Sequence, residues 1–172
     1  MSVDQHVEER LEKTLEQSGA MSSVLGRFAG SGNPRTGQLG TLPLFEGVSR
    51  WDRAFMASFL DEVQVEAGRT LVREGMRNVT FWILLEGEVE ISIGGRRPRV
   101  LRRGDFFGTA SMLDGRSAVA TVTTRTPIRA LVASPAQFRA LEGNSAVAAR
   151  LRSVALGRMR EELEMLQRTT AA

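Results

Sequence analysis

Short strand-like segments separated by glycine-bearing turns fill residues 63–133 and limit the folds open to this chain. The segment Phe81–Leu85 is continuously apolar and ends at Glu86-Gly87, which predicts a central strand. Residues 89–93 alternate apolar and polar side chains, which predicts a strand with one wet face. Gly94-Gly95 then predicts a two-residue hairpin. Short strands this closely spaced predict a sandwich or a barrel.

Helical signals flank these strands. Ser49 and Asp52 have the spacing of a helix N-cap and the third helical position, and predict a helix over residues 50–60. Ser134-Pro135 predicts the start of a short helix, because proline suits the first helical turn. Gly143-Asn144-Ser145 predicts the cap of a longer helix that follows.

The last apolar positions of that long helix are spaced three, four and three residues apart, as in a coiled coil. They are the interface candidates Leu156, Met159, Leu163 and Leu166. Two interpretations remain open: the seam packs against the strands of its own chain, or it pairs with a second copy. A homodimer through the C-terminal helix is therefore one expected partner, and the sequence names no other protein partner.

Composition shifts divide the chain into four parts. Residues 1–18 predict an amphipathic helix with a narrow apolar stripe, and residues 19–40 a flexible linker rich in glycine and serine. Residues 41–144 form the predicted β domain, and residues 145–172 the long C-terminal helix and tail.

Residue usage excludes several functional classes. The chain has no cysteine and one histidine, so disulfides, thiolate chemistry and histidine-based metal sites or triads lack their residues. The formal net charge is only +3, so the high isoelectric point does not by itself indicate a nucleic-acid partner. The acidic start lacks the apolar centre of a signal peptide, and no apolar run is long enough to span a bilayer. We therefore expect a cytoplasmic protein without membrane insertion.

Several motifs together resemble the cyclic-nucleotide-binding domain family over residues 42–167. The residues that carry the resemblance are Arg73-Glu74-Gly75, Phe81-Trp82-Ile83-Leu84 with Glu86-Gly87, Gly104-Asp105-Phe106-Phe107-Gly108, Ala120-Thr121-Val122-Thr123 and Thr126-Pro127. The resemblance implies a mainly β fold with flanking helices: a jelly-roll-like antiparallel β-barrel, an N-terminal helix, and C-terminal helices that respond to cAMP or cGMP. The chain ends soon after the long helix, without the helix-turn-helix of the related transcription regulators. Nucleic acid is therefore not an expected partner.

In that family a phosphate-binding cassette holds the nucleotide. A glycine and the N–H groups after it bind the cyclic phosphate, a glutamate binds the ribose, and an arginine pairs with the phosphate. Aligned without gaps, Phe107-Gly108 matches, but Thr109 stands at the glutamate position and Ala118 at the arginine position. The candidate ligand-binding residues of this vestigial or atypical cassette are Phe107, Gly108, Thr109, Ala110, Ser111, Arg116, Ser117, Ala118, Val119 and Ala120.

A second register keeps the arginine. Arg116-Ser117-Ala118 itself fits the family pattern if the preceding loop is two residues shorter, but a compensating bulge is then needed before Ala120. The gapless register predicts a non-enzymatic regulatory or protein-interaction module with weak or lost cAMP binding and no cofactor. The alternative register predicts a cAMP-responsive stand-alone sensor that uses Arg116 for the phosphate. A small enzyme or metal-binding jelly roll is the third interpretation, and the metal ligands of the related jelly-roll family are absent from this sequence.

Overall fold

The structure is a computed structural model that describes residues 36–170. Within this range the structure does not describe the side chains of Thr36, Asp114, Met159 and residues 161–170. The predicted helix over residues 1–18, and residues 19–35 of the predicted linker, lie outside the described part of the chain.

Eight strands lie between helices in the described range. In chain order the elements are α1 (Thr36–Leu39), a 3-10 helix (Pro43–Phe45), α2 (Arg50–Ala57), β1 (Asp61–Val65), β2 (Thr70–Val72), β3 (Phe81–Glu86), β4 (Val89–Ser92), β5 (Arg99–Leu101), β6 (Phe106–Phe107), α3 (Thr109–Asp114), β7 (Thr121–Thr124), β8 (Ile128–Ala133), α4 (Pro135–Glu142) and α5 (Ser145–Thr170).

The strands form two four-stranded antiparallel sheets. One has the order β1-β8-β3-β6 and the other β2-β7-β4-β5. The predicted mainly β, jelly-roll-like antiparallel fold with flanking helices is confirmed. Within residues 36–170 the strand pairing keeps the two sheets separate and does not close them into one barrel. Side chains from the facing sheets fill the space between them instead, as in a sandwich.

Strand β3 contributes to two cores. Trp82 and Leu84 point between the sheets, whereas Phe81, Ile83 and Leu85 point to the other face, against the helices. Alternate residues of a strand face opposite sides, so burial on both sides requires an unbroken apolar run. All five side chains are fully buried, which confirms the predicted central strand.

The predicted helix caps are present. The Ser49 side chain accepts a hydrogen bond from the Asp52 N–H at 3.0 Å. Ser134 and Gln137 form a reciprocal capping box at the start of α4. Asn144 Oδ1 accepts from the first N–H groups of α5. Helix α2 ends at Ala57, three residues before the predicted end.

Helix α1 occupies the last residues of the segment predicted as a linker. Its Leu39 is fully buried in the core between the helices and β3. A four-residue helix is unstable alone, so tertiary packing of this leucine stabilises the turn.

Candidate functional site

A tight turn aligns the start of the cassette with β3. The Gly104 N–H donates to the Leu84 carbonyl at 2.8 Å, and the Leu84 N–H donates to the Asp105 carbonyl at 2.9 Å. The Asp105 carboxylate closes the turn by accepting from the Arg102 N–H at 2.8 Å. These bonds hold β6 in register beside β3, with Phe107 opposite Trp82.

Phe107 packs in the core at the start of the cassette. Its ring stacks on the Trp82 indole with a centroid separation of 5.8 Å and an interplanar angle of 8°. Both rings are buried in the core between the sheets. The Trp82 Nε1 is buried without a hydrogen-bond partner in the described residues.

Gly108 is the cassette position with the strictest steric requirement. Its φ of 91° lies in the left-handed region, and an added Cβ would lie 2.4 Å from the Thr80 carbonyl oxygen. Asn78 fixes that carbonyl: its Nδ2 donates to the Thr80 oxygen, and its Oδ1 accepts from the Thr80 N–H. Asn78 could not be recognised from the sequence, because its role depends on a contact with Gly108, thirty residues further along the chain.

Helix α3 follows Gly108 directly. Thr109 and Ser111 are buried and Ala110 is exposed, so the two hydroxyl residues face inward. The Thr109 Oγ1 is buried without a hydrogen-bond partner in the described residues. A hydroxyl here lacks the negative charge of the carboxylate that the family pattern places at this position.

The second half of the cassette alternates between core and surface. Ala118 is only 5% exposed and packs in the core between the sheets, whereas Val119 is 56% exposed. Ala120 is again buried. Arg116 and Ser117 are both exposed. The inward position is therefore an alanine, and the arginine that precedes it lies at the surface.

Ala118 lies opposite a bulge formed by Gly75 and Met76 in the preceding segment. Its N–H donates to the Met76 carbonyl at 2.8 Å, and its carbonyl accepts from the Gly75 N–H at 2.8 Å. Ser117 pairs with Arg77, and five residues further along Val122 pairs with Val72. The two segments have equal length between these pairs, so neither carries a net insertion.

The long helix α5 contacts the cassette from outside. The Arg158 Nη2 donates to the Phe106 carbonyl at 2.6 Å, and its guanidinium lies 5.5 Å from the centre of the Phe106 ring. Sequence reasoning missed this residue, because one arginine among several on a helix carries no signal of a distant carbonyl. Of the predicted seam, Leu156 is exposed, and the side chains of Met159, Leu163 and Leu166 lie outside the description.

No group of three or more His, Asp or Glu side chains is placed to hold a metal ion in residues 36–170. No helix there combines the length and apolar character needed to cross a membrane.

Comparisons with known proteins agree with this fold. Residues 62–144 match the family model described as cyclic nucleotide-binding domain. A cAMP-dependent protein kinase regulatory subunit from Eremothecium gossypii is 31% identical over 106 residues, which is 61% of this chain and 23% of that protein. Four matched regulatory subunits are covered over only 22% to 25% of their length.

Two solved structures share the fold, and one is described with cAMP whereas the other belongs to a kinase described as cAMP-independent. The regulatory domain of Toxoplasma gondii PKA with cAMP has a TM-score of 0.62 and 20% identity, covering 70% of this chain and 48% of that one. The regulatory subunit of a cAMP-independent protein kinase A from Trypanosoma brucei has a TM-score of 0.64 and 22% identity, covering 70% and 44%. The shared fold therefore leaves the ligand undecided. Over residues 62–144, this chain matches the model of the cyclic nucleotide-binding domain family.

Proposed function

We propose that this chain is a non-enzymatic regulatory or protein-interaction module, with the fold of a cyclic nucleotide-binding domain and weak or lost cAMP binding. The observation that carries the proposal is the buried Ala118, which supplies only a methyl group where the family pattern has an arginine. Thr109 supports it, because its hydroxyl cannot replace a carboxylate in pairing with a ribose.

The expected loss of affinity is large. A hydrogen bond to a charged group contributes about 1.5–3 kcal/mol, and two such groups are missing. At about 1.4 kcal/mol per tenfold, their loss weakens binding by roughly two to four orders of magnitude. The backbone N–H groups after Gly108 remain, so the cassette keeps part of its cradle without its charged partners.

Titration with cAMP and cGMP tests the proposal. A site that keeps its affinity is stabilised by about 2.7 kcal/mol when the ligand is at 100 times its dissociation constant. We expect calorimetry and thermal melting to detect no saturable response at micromolar ligand. A saturable response that Arg116→Ala abolishes would overturn the proposal and favour the sensor that uses Arg116.

A gain-of-function variant tests the same residues in the other direction. We expect the double substitution Thr109→Glu with Ala118→Arg to raise cAMP affinity by roughly two orders of magnitude or more, because it restores both charged partners. Thr109→Glu with Ala120→Arg is the matched control, since Ala120 is equally buried two residues further along. Circular dichroism verifies folding of both variants. A folded double variant that gains no affinity would contradict the assignment of Ala118 to the arginine position.

The proposed protein partner is a second copy of this chain, bound through the C-terminal helix α5. An exposed Leu156 at the start of the 3-4-3 seam supports self-association through α5. A module without a small ligand transmits information through such a surface, and the contact of Arg158 with β6 links that helix to the cassette.

A further inference from the structure

Three aromatic side chains are spaced four residues apart along α2 and the two residues that follow it. Trp51 is 85% exposed and Phe55 is 63% exposed, one helical turn apart. Phe59, one turn further, is partly buried and contacts Phe55 edge to face with ring centroids 5.4 Å apart. We call Trp51, Phe55 and Phe59 the aromatic face. Two large, adjacent aromatic side chains exposed on a helix mark a contact surface.

The preceding chain enters the described structure at α2. Helix α1 packs against α2, and Leu39 anchors it in the helical core. The Arg53 guanidinium lies over Gly40, which brings the end of α1 against α2. The thirty-five residues before Thr36 therefore join the described structure at the helix that carries the aromatic face.

We propose that residues 3–18 of this chain dock as an amphipathic helix on the aromatic face of their own α2. The apolar stripe of that segment consists of Val3, Val7, Leu11 and Leu15. At 1.5 Å per residue it extends about 18 Å, which is enough to cover the roughly 12 Å between Trp51 and Phe59. A helix with so narrow a stripe is marginal alone and gains stability by burying it.

The segment that connects residues 3–18 to α1 is long enough to let them reach the aromatic face. Residues 19–35 are rich in glycine and serine, and a flexible chain of this length has an r.m.s. span of about 23 Å. The segment ends at α1, which packs on α2. A helix docked on α2 therefore does not require the segment to extend beyond this r.m.s. span. The short tether also favours the same chain over a second copy, by raising the effective concentration of the segment.

Tryptophan fluorescence of the full chain tests the docking. The chain has only two tryptophans, and Trp82 is fully buried, so the emission that Trp51→Phe removes is that of Trp51. In the unaltered protein we expect this Trp51 emission to be blue-shifted and protected from acrylamide. Leu11→Asp should weaken docking by roughly tenfold or more, because it replaces a buried leucine with a charge. The quenching constant of Trp51 should then rise.

Gln5→Asp is the matched control. It adds the same charge on the opposite side of the predicted helix, so it should leave Trp51 protected. Trp51 emission that is fully quenched in the unaltered chain, or that responds equally to both substitutions, would overturn the proposal.

Cross-linking identifies which chain supplies the helix. The protein has no cysteine, so Leu15→Cys with Phe55→Cys places two unique thiols for a short bismaleimide. We expect an intramolecular product whose yield does not depend on protein concentration. Intermolecular products that increase with concentration would assign the aromatic face to a second copy and overturn docking within one chain.

Discussion

At the residue scale, Gly108 separates backbone geometry from ligand chemistry. Its positive φ and its approach to the Thr80 carbonyl are requirements of the fold, because they arise from contacts within the described chain. Thr109 and Ala118 are also buried, so the packing around them suits small, uncharged side chains. The structure therefore explains Gly108 directly, whereas the effect of Thr109 and Ala118 on ligand binding is part of the proposal.

Gly108→Ala should destabilise the protein more than Gly115→Ala. Both glycines have positive φ, which costs a residue with a side chain about 1–2 kcal/mol. Only at position 108 does an added Cβ also approach a backbone oxygen, and overpacking of this kind costs a further 1–3 kcal/mol or so. Urea denaturation of the two variants gives the comparison. Equal losses would show that Thr80 moves aside without penalty.

At the element scale, the parts with local signals were predictable and the parts held by distant contacts were not. The continuous apolar run revealed β3, because burial on both faces leaves no polar position. Ser49 and Ser134 revealed helix starts, because capping is a contact between near neighbours. Helix α1 gave no signal, since Leu39 stabilises it only through the folded core.

The cassette shows the same division. Its departure from the family pattern at Thr109 and Ala118 is a prediction from aligning the flanking motifs without gaps. The stacking of Phe107 on Trp82 could not be predicted in this way, because it depends on the pairing of two strands that are far apart in the chain.

The contact between α5 and β6 predicts a local effect. Arg158→Gln removes a charge-assisted hydrogen bond to the Phe106 carbonyl and the approach to its ring. Arg158 is partly exposed, so we expect a loss of about 1 kcal/mol, with faster amide exchange in β6 and α3. Arg152→Gln, an exposed site on the same helix, is the control. Exchange that changes equally in both variants would show that Arg158 does not couple the helix to the cassette.

At the scale of the whole molecule, the proposed dimer is tested by its dependence on one side chain. Leu156 is 55% exposed on α5, and we expect sedimentation velocity to show a dimer that Leu156→Asp converts to monomer. Val119→Asp changes a similarly exposed apolar residue outside the seam and should leave the dimer intact. A monomer at high protein concentration in the unaltered chain would exclude the seam as an interface.

The burial of β3 on both of its faces also determines how this molecule unfolds. Its backbone is shared by the layer between the sheets and the layer beneath the helices. Neither layer can open along this strand without exposing apolar side chains of the other. The sandwich and the helical layer packed on it therefore form one cooperative unit at their centre, and partial unfolding is confined to elements distant from β3.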